Sequence, residues 1–122
     1  MANKILQWNC RGLKANFNEL LLLLTGLCPS IICLQETFLK PGDNISIKGY
    51  TLYNHIHPVG DRASGGSSIV VNNCIPQSPI PLNTNLQAVA VKATLHKTIH
   101  ICSIYLPPNN PINVADLKNL IQ

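Results

Sequence analysis

Charged side chains are scarce in this sequence. They make up 11% of its 122 residues, beside 46% apolar ones, where an ordinary domain carries about 25% charge. That excludes a disordered tail and argues for a buried core. It also suggests a surface meant to meet something else. Acids are rarest of all: Glu19, Glu36, Asp43, Asp61 and Asp116 are the whole set. The net charge of +4 fits a polyanionic partner, and equally an ordinary basic domain, because the lysines and arginines are scattered. Long apolar runs are missing too. The longest, Leu20 to Leu24, is far shorter than the ~20 residues of a spanning helix. No signal peptide precedes it, so no membrane partner is expected.

The five cysteines, Cys10, Cys28, Cys33, Cys74 and Cys102, are odd in number and contain no Cys-x-x-Cys. They read as reduced, mostly buried small apolar residues of an intracellular protein. The sequon Asn44-Ile45-Ser46 is then incidental. His55 with His57, and His96 with His100, have no cysteine or carboxylate at ligand spacing nearby. Zinc usually takes three or four ligands, so these histidines read as strand-surface or loop residues. No repeat and no linker interrupts the chain.

What is present has a clear order. Lys4 to Trp8 is a short apolar run and reads as a strand. A polar turn follows. Asn16 or Asn18 caps a helix through the leucine run, and Gly26 with Pro29 stops it. Ser30 to Leu34 is a second strand, apolar on both faces, as in a covered sheet. Strand, helix and strand in about thirty residues make a βαβ unit with parallel strands. Tyr50 to Ile56, Ser67 to Val71, Leu86 to Leu95 and Thr98 to Tyr105 read as further strands, the last two a hairpin around His96-Lys97. Asn72 to Asn85, with Pro76, Pro79 and Pro81, reads as a loop, as does Pro107 to Pro111. A last helix starts near Asn113. The fold class is α/β, a mixed sheet with flanking helices.

Three predicted strands end in a polar residue with chemical use: Asn9, Glu36 and Tyr105. Ligands gather at the carboxyl ends of strands in open α/β sheets, and the βαβ unit puts Asn9 and Glu36 at one edge. Glu36 is either a solvent-facing acid closing a strand or a ligand. Magnesium is commonly held by one or two carboxylates with water and phosphate oxygens. Asn9 is a turn residue or a phosphate and metal contact. Tyr105 is a rim aromatic or a donor to a phosphate oxygen. Arg62 with Gly65-Gly66 is an exposed turn or an approach to a nucleic-acid backbone.

Four segments resemble the endonuclease/exonuclease/phosphatase family, in the family's order and at plausible spacing across the chain. They are Trp8-Asn9-Cys10-Arg11-Gly12-Leu13, Leu34-Gln35-Glu36-Thr37, Gly65-Gly66-Ser67-Ser68-Ile69-Val70-Val71 and Ile104-Tyr105-Leu106-Pro107-Pro108-Asn109. Their form is most similar to the endonucleases of jockey-like non-LTR retroelements. The resemblance implies magnesium, or manganese, on Glu36 and Asn9, and no small-molecule cofactor. It implies a charge-stabilising role for Tyr105, DNA-backbone contacts from Asn109 and Arg62, and hydrolysis of a DNA phosphodiester in the nucleus. The chain carries no targeting signal of its own.

Two later motifs of that family, Gly-Asp-x-Asn and a terminal Asp-His pair, have no match here. The expectation is therefore the N-terminal half of a two-layer α/β sandwich, with 1–122 a partial domain whose C-terminal half is missing. The fragment would belong to a reverse transcriptase polyprotein and be inactive alone. The alternatives are a non-catalytic remnant with weak nucleic-acid binding, or another phosphoesterase of this fold acting on a lipid or inositol phosphate. One sheet is expected, its inner face over Ile69 to Val71, Val89 to Val91 and Ile99 to Ile101 left bare, and self-association follows from that.

Overall fold

The computed structural model of the chain describes residues 3–56 and 65–107, with residues 114, 115 and 118. Strand β1 (Ile5–Asn9) leads through a turn into helix α1 (Phe17–Leu27), and the chain returns as β2 (Ile31–Gln35). β1 and β2 pair in parallel, with Ile5 opposite Ile31 and Asn9 opposite Gln35. This is the expected βαβ unit. β3 (Tyr50–His55) and β4 (Ser67–Asn72) complete a four-stranded mixed sheet in the order β1-β2-β4-β3. β5 (Gln77–Ile80), β6 (Gln87–Thr94) and β7 (Thr98–Tyr105) form a second sheet of three, antiparallel throughout. The β6–β7 hairpin closes with Thr94 opposite Thr98. Val114, Ala115 and Lys118 are helical, in line with the expected last helix. No helix among the described residues is long and apolar enough to cross a membrane.

The second sheet corrects the expectation of a bare inner face. Ile69, Val71 and Val91 have no exposed surface, and they cluster with Ile31, Cys33 and Ala93. Val89, Ile99 and Ile101 pack against that cluster. The reason is topological. After β4 the chain turns at once into β5, so the second sheet folds back over β2, β3 and β4. β2 is buried along its whole length: Ile32 and Leu34 face α1, Ile31 and Cys33 the other sheet.

Local chemistry explains the other departures. The Asn72 to Asn85 segment is not all loop, because β5 lies within it. Pro79 is tolerated there because β5 is an edge strand paired only with β6. Gly26 does not end α1. The helix runs to Leu27, and Cys28 takes the left-handed conformation (φ 45°, ψ 54°) with its N–H on the Leu24 carbonyl. Pro29 then blocks any continuation. Asn16 sits at the N-cap but does not cap with its side chain; it reaches back to the Cys10 carbonyl at 2.7 Å. The cysteines are not mostly buried. Cys10 and Cys33 are, whereas Cys28, Cys74 and Cys102 are exposed.

One side of the sandwich is open. β1 ends the first sheet and β7 ends the second. β7 packs across β2 and β4, and β6 across β4 and β3, so the face of β1 that looks inward stays uncovered. Ile5 is 47% exposed, and Gln7 and Asn9 are exposed as well. A groove of about 460 Å³ runs there, floored by Cys33 and Gln35 and walled by Ile101 and Ser103.

Two outcomes follow from this packing. Ile69→Ala is expected to cost ~2–5 kcal/mol of stability in urea denaturation, the range for emptying a closed core. Leu22→Ala, at a position 72% exposed, should stay within about 0.5 kcal/mol. Equal small effects would mean that the sheets do not pack. In native alkylation at pH 8, Cys28 and Cys74 should label long before Cys33. Burial, and then the nearby Cys102, push the Cys33 thiol up to about 11, leaving on the order of 0.1% thiolate. Labelling of Cys33 at the pace of Cys74 would count against the closed core.

Candidate active site

The ends of β1 and β2 lie side by side, and the chain beyond them is held in an uncommon shape. Arg11, Glu36 and Phe38 all have positive φ, at 48°, 54° and 55°. Non-glycine residues pay for that conformation with about 1–2 kcal/mol each. Hydrogen bonds on both flanks offset it. On one side the N–H groups of Cys10, Gly12 and Leu13 donate to the carbonyls of Gln35, Glu36 and Thr37 at 3.0, 2.8 and 2.9 Å. On the other, the N–H groups of Glu36 and Phe38 donate to the carbonyls of Gly66 and Gly65, both at 3.0 Å. Residues 35 to 38 are thus threaded between the turn after β1 and the entry to β4.

The glycines are needed by contact. A Cβ on Gly66 would stand 2.7 Å from the Thr37 hydroxyl oxygen, and one on Gly65 would stand 2.3 Å from Gln87 Oε1. Thr37 is buried, and its hydroxyl has no hydrogen-bond partner. Beneath the turn, the Cys10 sulfur lies 3.5 Å from the Gln35 carbonyl. Burial, above all, raises the Cys10 pKa, and the Glu36 charge adds to it, so this thiol stays neutral.

The side chains converge as the sequence predicts for three of the five site residues. Asn9 Nδ2 donates to Glu36 Oε1 at 3.2 Å. Tyr105, at the end of β7 in the other sheet, stands near enough to feel the same carboxylate. Its phenol is raised by burial first, then by the Glu36 charge and by a hydrogen bond to Glu36. It therefore remains a donor at neutral pH. Arg62 and Asn109 lie outside the described residues, as do Asp61 and Asp116. Of the other described acids, Asp43 pairs with Lys14 at 3.3 Å and Glu19 sits on α1.

Two residues at this end were not singled out by sequence reasoning. Gln35, 9% exposed, donates through Nε2 to Ser103 Oγ at 3.0 Å and accepts from Gln7. Ser103 Oγ in turn donates to the Leu34 carbonyl at 2.9 Å. Gln87, 7% exposed, accepts the Gly66 N–H at 2.6 Å. Both join the two sheets directly behind Glu36. A glutamine opening or closing an apolar strand is the only signal either leaves in the sequence.

The donor set limits what can bind. No three histidines, cysteines or acids gather anywhere among the described residues. One carboxylate and one amide are hard oxygen donors, and they fit magnesium or manganese completed by water and phosphate. They do not fit a tetrahedral zinc site.

Known proteins share this fold. The sequence profile of the endonuclease/exonuclease/phosphatase family matches residues 6–115. The chain is 32% identical over 120 residues to the RNA-directed DNA polymerase from mobile element jockey of Drosophila melanogaster, covering 96% of this chain and 13% of that protein. It is 25% identical over 123 residues to the probable RNA-directed DNA polymerase from transposon BS of the same organism, covering 98% and 14%. Among solved structures, the endonuclease domain of TRAS1, a telomere-specific non-LTR retrotransposon, superposes with a TM-score of 0.75 at 23% identity, over 98% of this chain and 52% of that one. The AP endonuclease LMAP from Leishmania major gives 0.69 at 18% identity, over 98% and 44%. At such identities the two structures establish the fold alone. The chain spans 13% of the jockey protein and 52% of the TRAS1 domain. The profile runs from Leu6 in β1 to Ala115 in the last helical stretch, through both sheets and α1, and the chain belongs to the endonuclease/exonuclease/phosphatase family.

Proposed function

We propose that this chain is the first half of a retroelement endonuclease domain that hydrolyses DNA phosphodiesters with magnesium, or manganese, in the nucleus. The observation that carries the reading is the bond from Asn9, at the end of β1, to the carboxylate of Glu36, just beyond β2, with Tyr105 at the end of β7 near enough for the Glu36 charge to act on its phenol. A bound divalent ion would supply positive charge to the phosphate and sit on Glu36. Asn9 spends the nitrogen end of its amide on Glu36, which orients the carboxylate, and keeps the oxygen end for metal or phosphate. The Tyr105 hydroxyl would donate to a non-bridging phosphate oxygen as charge builds there. Asn109, by its motif, and Arg62, by its place in the turn before Gly65-Gly66, would hold the DNA backbone. Water attacks phosphorus, the bond to the leaving oxygen breaks, and that oxygen takes a proton. No described residue is placed to activate that water, and the reading assigns this step to the rest of the domain, seated against β1 and β7.

The lone carboxylate also favours a second reading for the chain by itself: a non-catalytic remnant. Both readings expect the 122 residues alone to leave plasmid DNA intact with magnesium, since removing members of a catalytic set costs several powers of ten. Robust nicking that Glu36→Ala abolishes would overturn this account of which residues suffice.

Fused to the remaining half from a relative, the chain should nick DNA, and chelation of divalent ions should stop it. Tyr105→Phe should then cost at most ~2.7–4 kcal/mol of activation free energy, the range for one charge-stabilising donor. Glu36→Gln should cost more, because it removes the ligand charge and keeps the shape. A nicking rate untouched by Glu36→Gln would remove Glu36 from the metal site. No rescue by fusion would leave the remnant reading in place.

A further inference from the structure

Gln87 stands at a joint. It opens β6 directly opposite Tyr105 in the β6–β7 ladder. Its side chain accepts the Gly66 N–H at 2.6 Å, and its backbone carbonyl accepts the Ser67 hydroxyl at 2.8 Å. Gly66 in turn accepts the N–H of Glu36. So one residue is tied to Tyr105 through the ladder and, through the two peptides that meet at Gly66, to Phe38 and Glu36. The side chain lies so close to Gly65 that a Cβ there would push the Gln87 amide aside.

A buried amide costs free energy unless its hydrogen bonds are made, and an apolar residue would fill a strand position between two sheets without that cost. An amide here is explained by what it holds. We infer that Gln87 is a positioning residue for Glu36: by accepting the Gly66 N–H it fixes the Gly65–Gly66 peptide, whose carbonyl holds the Phe38 N–H, and so sets Gly66, whose own carbonyl in the next peptide holds the N–H of Glu36 in its left-handed conformation beside Asn9. Without that acceptor, Gly66 is free to shift, Glu36 relaxes toward an ordinary negative φ, and the carboxylate turns from its two partners. The inference rests on the metal-site reading of Glu36.

Binding of Mn²⁺ alone to the full 122-residue chain, followed by the electron paramagnetic resonance signal of the free ion, tests it. Gln87→Met keeps the length and removes the acceptor, and should weaken Mn²⁺ binding about 10–100-fold, as loss of an outer partner of a metal ligand does. Gln87→Glu restores an acceptor oxygen and should return affinity to within about threefold. Val91→Ala, in the core between the sheets, sets the comparison: it should lower the melting temperature and leave Mn²⁺ affinity unchanged. A purely structural role for Gln87 would make Gln87→Met behave like Val91→Ala. Should Gln87→Met fail to fold, Gln87→Asn, which draws the amide back by one methylene, is measured instead and should show the same loss. Wild-type affinity in these variants, while Glu36→Gln still abolishes binding, would overturn the role of Gln87 and leave the metal reading standing. Binding that is absent from the unmutated chain, or that survives Glu36→Gln, would sink the metal reading and this inference together.

Discussion

The site depends on four residues of backbone, Gln35 to Phe38. A carboxylate just beyond a strand end ordinarily moves with its loop. Here the Glu36 peptide is bonded through its N–H to Gly66 and through its carbonyl to Gly12. Strain of ~1–3 kcal/mol for a residue in a sparsely populated region persists only where surrounding structure over-determines it, and five backbone hydrogen bonds do so here. The consequence is a carboxylate with one direction. It also explains the Gly-Gly pair at the entry to β4. Those residues are glycine because a flank of this clamp passes against Thr37 and Gln87 with no room for a side chain.

The two sheets are joined differently at their two ends. Away from the site the contact is Ile31, Ile69, Val71, Val91 and Ala93, buried and apolar. At the site end it is amide and hydroxyl: Gln35 with Ser103, Gln87 with Gly66 and Ser67. Apolar contact is tolerant of small slides, since many arrangements bury similar area. A buried hydrogen bond is not, because a lost partner leaves an unsatisfied group costing about 1–3 kcal/mol. The polar end therefore sets the register between the sheets, and with it the meeting of Tyr105 and Glu36, which belong to different sheets.

Most of the strands were legible because an apolar run flanked by turn residues says strand whatever surrounds it. β2, buried on both faces, was read as Ser30 to Leu34 from its apolar run alone. The three candidate residues at strand ends stood out for the same reason: each is a polar residue after an apolar run. What stayed hidden was pairing. Periodicity assigns faces to a strand but not a sheet, so β6 and β7 were expected in one sheet with the other strands instead of in a second sheet packed over it. β5 was hidden by Pro79, since proline argues against a strand unless the strand is known to be an edge. The supporting roles of Gln35 and Gln87 stayed hidden because a supporting amide is recognised only by the group it bonds, and that group is distant in sequence.

The open side bears on how a substrate would meet this site. Asn9 is at the end of β1, the strand whose inner face nothing in the second sheet covers. Glu36 is partly exposed beside it. The three converging side chains thus stand on a rim, with a packed interior behind them and the groove between β1 and β7 alongside. A rim suits a long polyanion better than a small molecule, because a small ligand gains most of its affinity from enclosure, whereas a nucleic-acid backbone gains it from charge and from contacts spread along a surface.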